Sequence, residues 1–168
     1  MNEDIGKKTI GYTAGVFDLF HIGHLNILRN AKSMCDHLIV GVTADELVKY
    51  KGKTAIIPFR ERLEIVQSIE YVDTVVGQYE LDKYKAWELL KFDKIFVGND
   101  WFGSKEWLEY EDKFEKVGVE VIYFPYTIGT SSTIITDVLK NSHKLLEQAE
   151  KEEENSLAAE ARIKKRKK

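Results

Sequence analysis

Short apolar runs with the character of β-strands alternate with helical patterns along residues 1–140, and that alternation limits the possible folds more than any other feature. Strands are predicted at 9–12, 37–42, 74–76, 94–97 and 120–124. Helices are predicted near 24–34, 58–69, 83–91, 105–116 and 131–139. Strands taking turns with helices of roughly 10–15 residues imply βαβ units, hence a parallel sheet and a doubly wound α/β domain with helices on both faces. In such sheets ligands bind outside the carboxyl ends of the strands. Three clusters of polar and glycine residues fall at those ends: one after the first strand, one after the fourth and one after the fifth.

The first cluster is Gly15-Val16-Phe17-Asp18-Leu19-Phe20-His21-Ile22-Gly23-His24. It leaves an apolar strand, turns at a glycine and opens a helix patterned by Leu25, Ile27, Leu28, Ala31 and Met34. Two imidazoles three residues apart then share one face of a helix start, where unpaired N–H groups and the positive end of the helix dipole attract anions. Gly23 has no Cβ, which admits close approach of a phosphate to the backbone. The arrangement suits gripping nucleotide phosphates while charge builds on the one under attack, and it points to nucleotidyl transfer.

Other candidates lie further along the chain. Lys51-Gly52-Lys53 forms a glycine loop whose ammonium groups can close over a triphosphate. Arg62 begins a helix after Pro58, a residue that favours helix starts. Gly98-Asn99-Asp100-Trp101 places a carboxylate and an indole at a strand end, fit for a base or sugar hydroxyls. Tyr126-Thr127-Ile128-Gly129-Thr130-Ser131-Ser132-Thr133 runs into the last helix, where hydroxyls serve equally for capping and for phosphate binding.

Composition closes off other classes. The chain has 168 residues, 43% of them hydrophobic and 32% charged, with a net charge of −3. This is ordinary for one globular domain. The basic residues form no stripe across the body, so no nucleic-acid partner is expected. Cys35, the single cysteine, cannot form an internal disulfide. No apolar run is long enough to span a membrane, the N-terminus does not resemble a secretory leader, and a cytoplasmic location is expected. Residues 1–140 are read as the functional domain and 141–168 as a charged tail, helical or disordered. In the tail an acidic block (Glu147, Glu150, Glu152, Glu153, Glu154) precedes a basic one (Arg162 and Lys164 onward). Such a tail suits a solvated helix, a membrane surface or a partner helix.

Taken together, the histidine motif, the loop lysines, the helix carrying Glu61 through Asp73, Gly98-Asn99-Asp100-Trp101 and the final Thr-Ile-Gly-Thr-Ser-Ser-Thr resemble the cytidylyltransferases, which include enzymes for glycerol-3-phosphate, choline phosphate and ethanolamine phosphate. The resemblance covers roughly residues 9–139. It implies a Rossmann-like fold and the joining of CTP to a small polyol or alcohol phosphate, giving a CDP-alcohol and pyrophosphate. It also implies Mg2+ held mainly by the CTP phosphates, and a homodimer formed partly around Tyr71-Val72-Asp73. By position, His21, His24 and Lys53 would be catalytic, and Val16 and Phe17 would meet the nucleotide through backbone. Asp100, Trp101, Tyr126, Thr127, Gly129, Thr130, Ser131, Ser132 and Thr133 would complete the nucleotide site. Lys51, Arg62 and Lys83 would bind the second substrate. Two positions depart from the family pattern: Tyr126 and Glu70 stand where arginines are usual, which leaves the acceptor open. Adenylyl transfer to a pantetheine-, heptose- or flavin-type phosphate, and a non-catalytic nucleotide-binding protein, are the alternative readings.

Overall fold

The computed structural model describes residues 6–50 and 52–166, with side chains as far as Glu152 except that of Ala149. The chain divides into two units, Met1–Thr130 and Ser131–Lys168. In the first unit the elements follow in the order β1 (Ile10–Gly15), α1 (Ile22–Lys32), β2 (His37–Thr43), α2 (Asp45–Tyr50), α3 (Phe59–Gln67), β3 (Thr74–Gln78), α4 (Lys83–Leu90), β4 (Lys94–Gly98), a 3-10 turn at Asn99–Trp101, α5 (Lys105–Glu115) and β5 (Glu120–Phe124). All strand pairs are parallel, in the order β3-β2-β1-β4-β5. The fold is therefore the doubly wound α/β sheet that the alternation predicts.

Both faces of the sheet are covered, and β2 shows how. Leu38, Val40 and Val42 face a layer containing Leu28 and Ala31 of α1 and Val66 of α3. Ile39, between them, joins Tyr12, Ile95 and Val97 against Trp107 and Phe114 of α5. A central parallel strand buried on both sides reads as one continuous apolar run for this reason.

The order of strands reverses between β1 and β4, and the register opens a crevice there. β1 pairs with β2 along its whole length, from Ile10↔His37 to Gly15↔Val42. Its pairing with β4 covers only Gly11↔Lys94 and Tyr12↔Ile95. Past that point Thr13 Oγ1 donates to the Phe96 carbonyl at 3.0 Å, a side chain standing in for the ladder. The switch point of a doubly wound sheet is where ligands bind.

Three local differences from the sequence reading have physical causes. β1 extends to Gly15 rather than to residue 12, because Thr13, Ala14 and Gly15 pair with β2. α1 begins at Ile22 rather than near residue 24, because His21 caps it. α2 was not expected at all; six residues are too few for a 3.6-residue period to show. In the second unit, α6 (Ser132–Arg166) runs through position 140 without a break, and Ser131 Oγ caps it by accepting the Ile134 amide at 3.2 Å.

Candidate active site

A cavity of about 420 Å3 occupies the crevice beyond the ends of β1 and β4. Val16 and Phe17 line it at one side, Gly98 and Trp101 at another, and His24, Lys53 and Lys83 contribute its basic groups. Residues predicted from distant parts of the chain thus converge on one site.

His21 and His24 form an unusual capping box. His21 Nδ1 accepts the Gly23 amide at 3.0 Å, and His24 Nδ1 accepts the His21 amide at 3.4 Å. In most such boxes a hydroxyl and a carboxylate play these parts. Here the bonds fix the chemistry of the rings. A neutral imidazole that accepts at Nδ1 carries its proton on Nε2. The two rings stack with centroids 3.9 Å apart. Burial lowers the pKa of His21. It lowers that of His24 further, to about 4, helped by the neighbouring His21 and opposed by Asp18. Phe17 and Phe20 supply much of the apolar contact, with ring centroids 5.3 and 5.4 Å from His24. At neutral pH the pair therefore presents two uncharged Nε2–H donors at a helix N-terminus.

The role of Gly23 differs from the sequence expectation. A Cβ there would lie 2.8 Å from His21 Cε1 and 3.0 Å from its Nδ1. The space over Gly23 is taken by the His21 ring itself, so this glycine admits the imidazole that forms the cap.

Arg62 also differs from expectation. The family resemblance places it against substrate, but its side chain is 0% exposed. Nε donates to the Ile57 carbonyl at 2.8 Å, Nη1 to Val16 and Thr43 carbonyls at 2.5 and 2.9 Å, and Nη2 to Asp45 Oδ1 at 2.6 Å. It is an internal strut joining the histidine turn to the end of β2 and the start of α3. Its signal in sequence, an arginine after a proline helix start, cannot separate a strut from a substrate ligand.

The remaining candidates are placed as follows. Lys83 opens α4, and its amide donates to Tyr110 Oη at 3.2 Å. Asp100 lies on the exposed 3-10 turn beside Trp101, which is 43% exposed and reaches the cavity. Thr127 Oγ1 accepts from Asn26 Nδ2 of α1 at 3.2 Å, Tyr126 is exposed, and Gly129 has φ 124°. Thr130 ends the first unit, and Ser131, Ser132 and Thr133 open the second. Lys51 lies outside the described residues. Among the described residues no three His, Cys, Asp or Glu side chains converge to hold a metal ion, and no helix is long and apolar enough to cross a membrane. Among the cavity residues that escaped the sequence reading are Glu106 and Trp107, in the first turn of α5. Nothing local marks them, since one looks like a solvated helix charge and the other like core.

A parallel α/β sheet whose crevice is lined by His24, on which His21 stacks, and by two lysines defines an enzyme of nucleotidyl transfer. Comparison with known proteins agrees. The family model described as cytidylyltransferase-like matches residues 12–161. The glycerol-3-phosphate cytidylyltransferase of Bacillus subtilis (strain 168) is 36% identical over 138 residues, spanning 78% of this chain and 95% of the relative. An FAD synthase of Pyrococcus horikoshii is 43% identical over 125 residues, spanning 71% of this chain and 82% of the relative. Among solved structures, a lipopolysaccharide core biosynthesis protein from Thermoplasma volcanium GSS1 superposes with a TM-score of 0.62 at 28% identity, covering 74% of this chain and all of that one. The chain belongs to the cytidylyltransferase-like family.

Proposed function

We propose that the enzyme transfers the cytidylyl group of CTP to a small polyol or alcohol phosphate, releasing pyrophosphate and a CDP-alcohol. The observation that carries this reading is the His21–His24 pair, held by its own helix cap as two Nε2–H donors, with His24 lining the same cavity as Lys53. The acceptor's phosphate oxygen attacks the α-phosphorus, a bond to that phosphorus forms, and the bond to the pyrophosphate oxygen breaks. Negative charge grows on the α-phosphate oxygens and on the departing pyrophosphate. Neutral donors already in place stabilise it without reorganisation, and Lys53 adds a mobile positive charge. Mg2+ is read as an ion held mainly by the triphosphate, the usual mode for a cation that keeps most of its waters. Bound that way it would neutralise phosphate charge.

A second reading is favoured by the 43% identity to an archaeal FAD synthase. It keeps the same donors but moves an adenylyl group from ATP to a flavin phosphate. Pyrophosphate release from CTP and from ATP, each with glycerol-3-phosphate, ethanolamine phosphate and flavin mononucleotide, separates the two. Turnover with CTP and a small alcohol phosphate is expected, falling at least about a hundredfold in His24→Ala. Turnover only with ATP and the flavin would overturn cytidylyl transfer, and a His24→Ala variant of normal activity would remove the pair from the chemistry.

A further inference from the structure

Asp18 lies in the middle of the histidine turn, yet neither the turn's pattern nor the reaction assigns it a task. Its backbone neighbours are strained: Phe17 and Leu19 have φ of 53° and 47°, a region that side chains other than glycine seldom adopt. Asp18 itself is 8% exposed. Its Oδ2 accepts the Ile56 amide at 2.8 Å, and its Oδ1 accepts the Ile57 amide at 2.9 Å and the Leu19 amide at 3.1 Å. Ile56 and Ile57 close the loop that carries Lys53. At the loop's other end, Gly52 N donates to the Lys49 carbonyl at 2.8 Å and Lys53 N to the Val48 carbonyl at 3.2 Å, tying it to α2. Arg62 completes a circuit, because it donates to the carbonyls of both Ile57 and Val16. The turn, the loop and α3 are therefore joined by hydrogen bonds that run from Asp18 through Ile57 and Arg62 to Val16 and back along the chain.

We infer that Asp18 is a positioning residue: its carboxylate fixes the Lys53 loop in register with His21 and His24, so that the lysine and the two donors act as one rigid anion clamp. The inference rests on the reading of Lys53 as a phosphate ligand. With both carboxylate oxygens bound to backbone amides, Asp18 works through the loop and does not meet the substrate. A carboxylate is needed, since two amides from one loop arrive at two oxygens. In Asp18→Asn one of them would face an NH2 group.

A double-mutant cycle tests the idea. Asp18→Asn should lower kcat/KM for the nucleotide by about tenfold to a hundredfold, the scale expected when a catalytic group is misplaced by about 1 Å. Lys53→Ala should do at least as much. Combining them should cost no more than Lys53→Ala alone, because the clamp has already lost the group that Asp18 positions. Losses that multiply, or an Asp18→Asn variant with wild-type kcat/KM, would overturn the inference. Hydrogen exchange of the wild-type protein gives a second reading that needs no variant. The Ile56 and Ile57 amides should exchange slowly even though the Ile56 residue is about half exposed (49%), and exchange at the rate of a free loop would overturn the clamp. If the wild-type enzyme transfers no nucleotidyl group from CTP or ATP, the proposed function fails. The exchange result then still decides the clamp, with calorimetric titration of CTP replacing turnover in the cycle.

Discussion

Replacing Arg62 by methionine keeps an apolar stem as far as the position of Nε and removes every donor. Three backbone carbonyls, those of Val16, Thr43 and Ile57, lose a partner where no water reaches the 0%-exposed side chain. Hydrogen bonds to a charged donor contribute about 1.5–3 kcal/mol each, so the three together amount to about 4.5–9 kcal/mol. Against this, methionine does not need to be stripped of the water that a guanidinium gives up, which recovers several kcal/mol. Asp45 is 37% exposed and stays hydrated when its partner leaves, so no buried charge is stranded. The balance is a loss of about 3 kcal/mol, near the lower end of the range for breaking a buried pair. In a chain of this size that corresponds to a fall in Tm of roughly 6–12 °C. Urea unfolding followed by circular dichroism checks it: the midpoint should drop with the slope unchanged. A loss below about 1 kcal/mol would show that the hydrogen bonds seen around Arg62 do not hold the turn, and would reopen direct substrate contact as its role.

Two further predictions follow from the histidine cap. His24 has a folded pKa of about 4 against 6.5 when unfolded, so between those values the unfolded chain binds the extra proton. Its contribution, about 3 kcal/mol at 1.36 kcal/mol per pKa unit, is complete above pH 6.5 and disappears as the pH falls to 4. Urea midpoints measured from pH 7 to 4 should decline across that window, and a flatter profile in His24→Gln is expected; identical slopes for the two proteins would refute it. In Gly23→Ala the new methyl occupies the space of the His21 ring. Turnover should fall about tenfold to a hundredfold while the helix content stays as it is, and an alanine variant of normal turnover would show that the ring's position is not needed.

The doubly wound sheet was legible in the sequence because its signal is local. Strand runs such as Leu38 to Val42 are apolar on both faces, and glycine turns and helix-forming segments separate them at regular intervals. Part of the cavity lining was legible for a related reason: His24, Lys53, Lys83 and Trp101 are polar or aromatic residues near strand and helix ends, where such a fold puts its crevice. What the sequence could not decide was whether a given charge points out of the fold or into it. Nothing in the sequence tells whether Arg62, after a proline, or Asp18, inside the histidine motif, points to solvent or into the fold. Only the crossing of the histidine turn over the start of α3 buries them and gives Asp18 backbone partners 38 and 39 residues away and Arg62 one 46 residues away in the chain. The same holds for Gly23, whose missing Cβ is recognisable in sequence but whose neighbour is not. Periodicity records which face of an element is apolar, whereas the partners of a buried charge are set by the tertiary packing of segments that have no local sequence relation to one another.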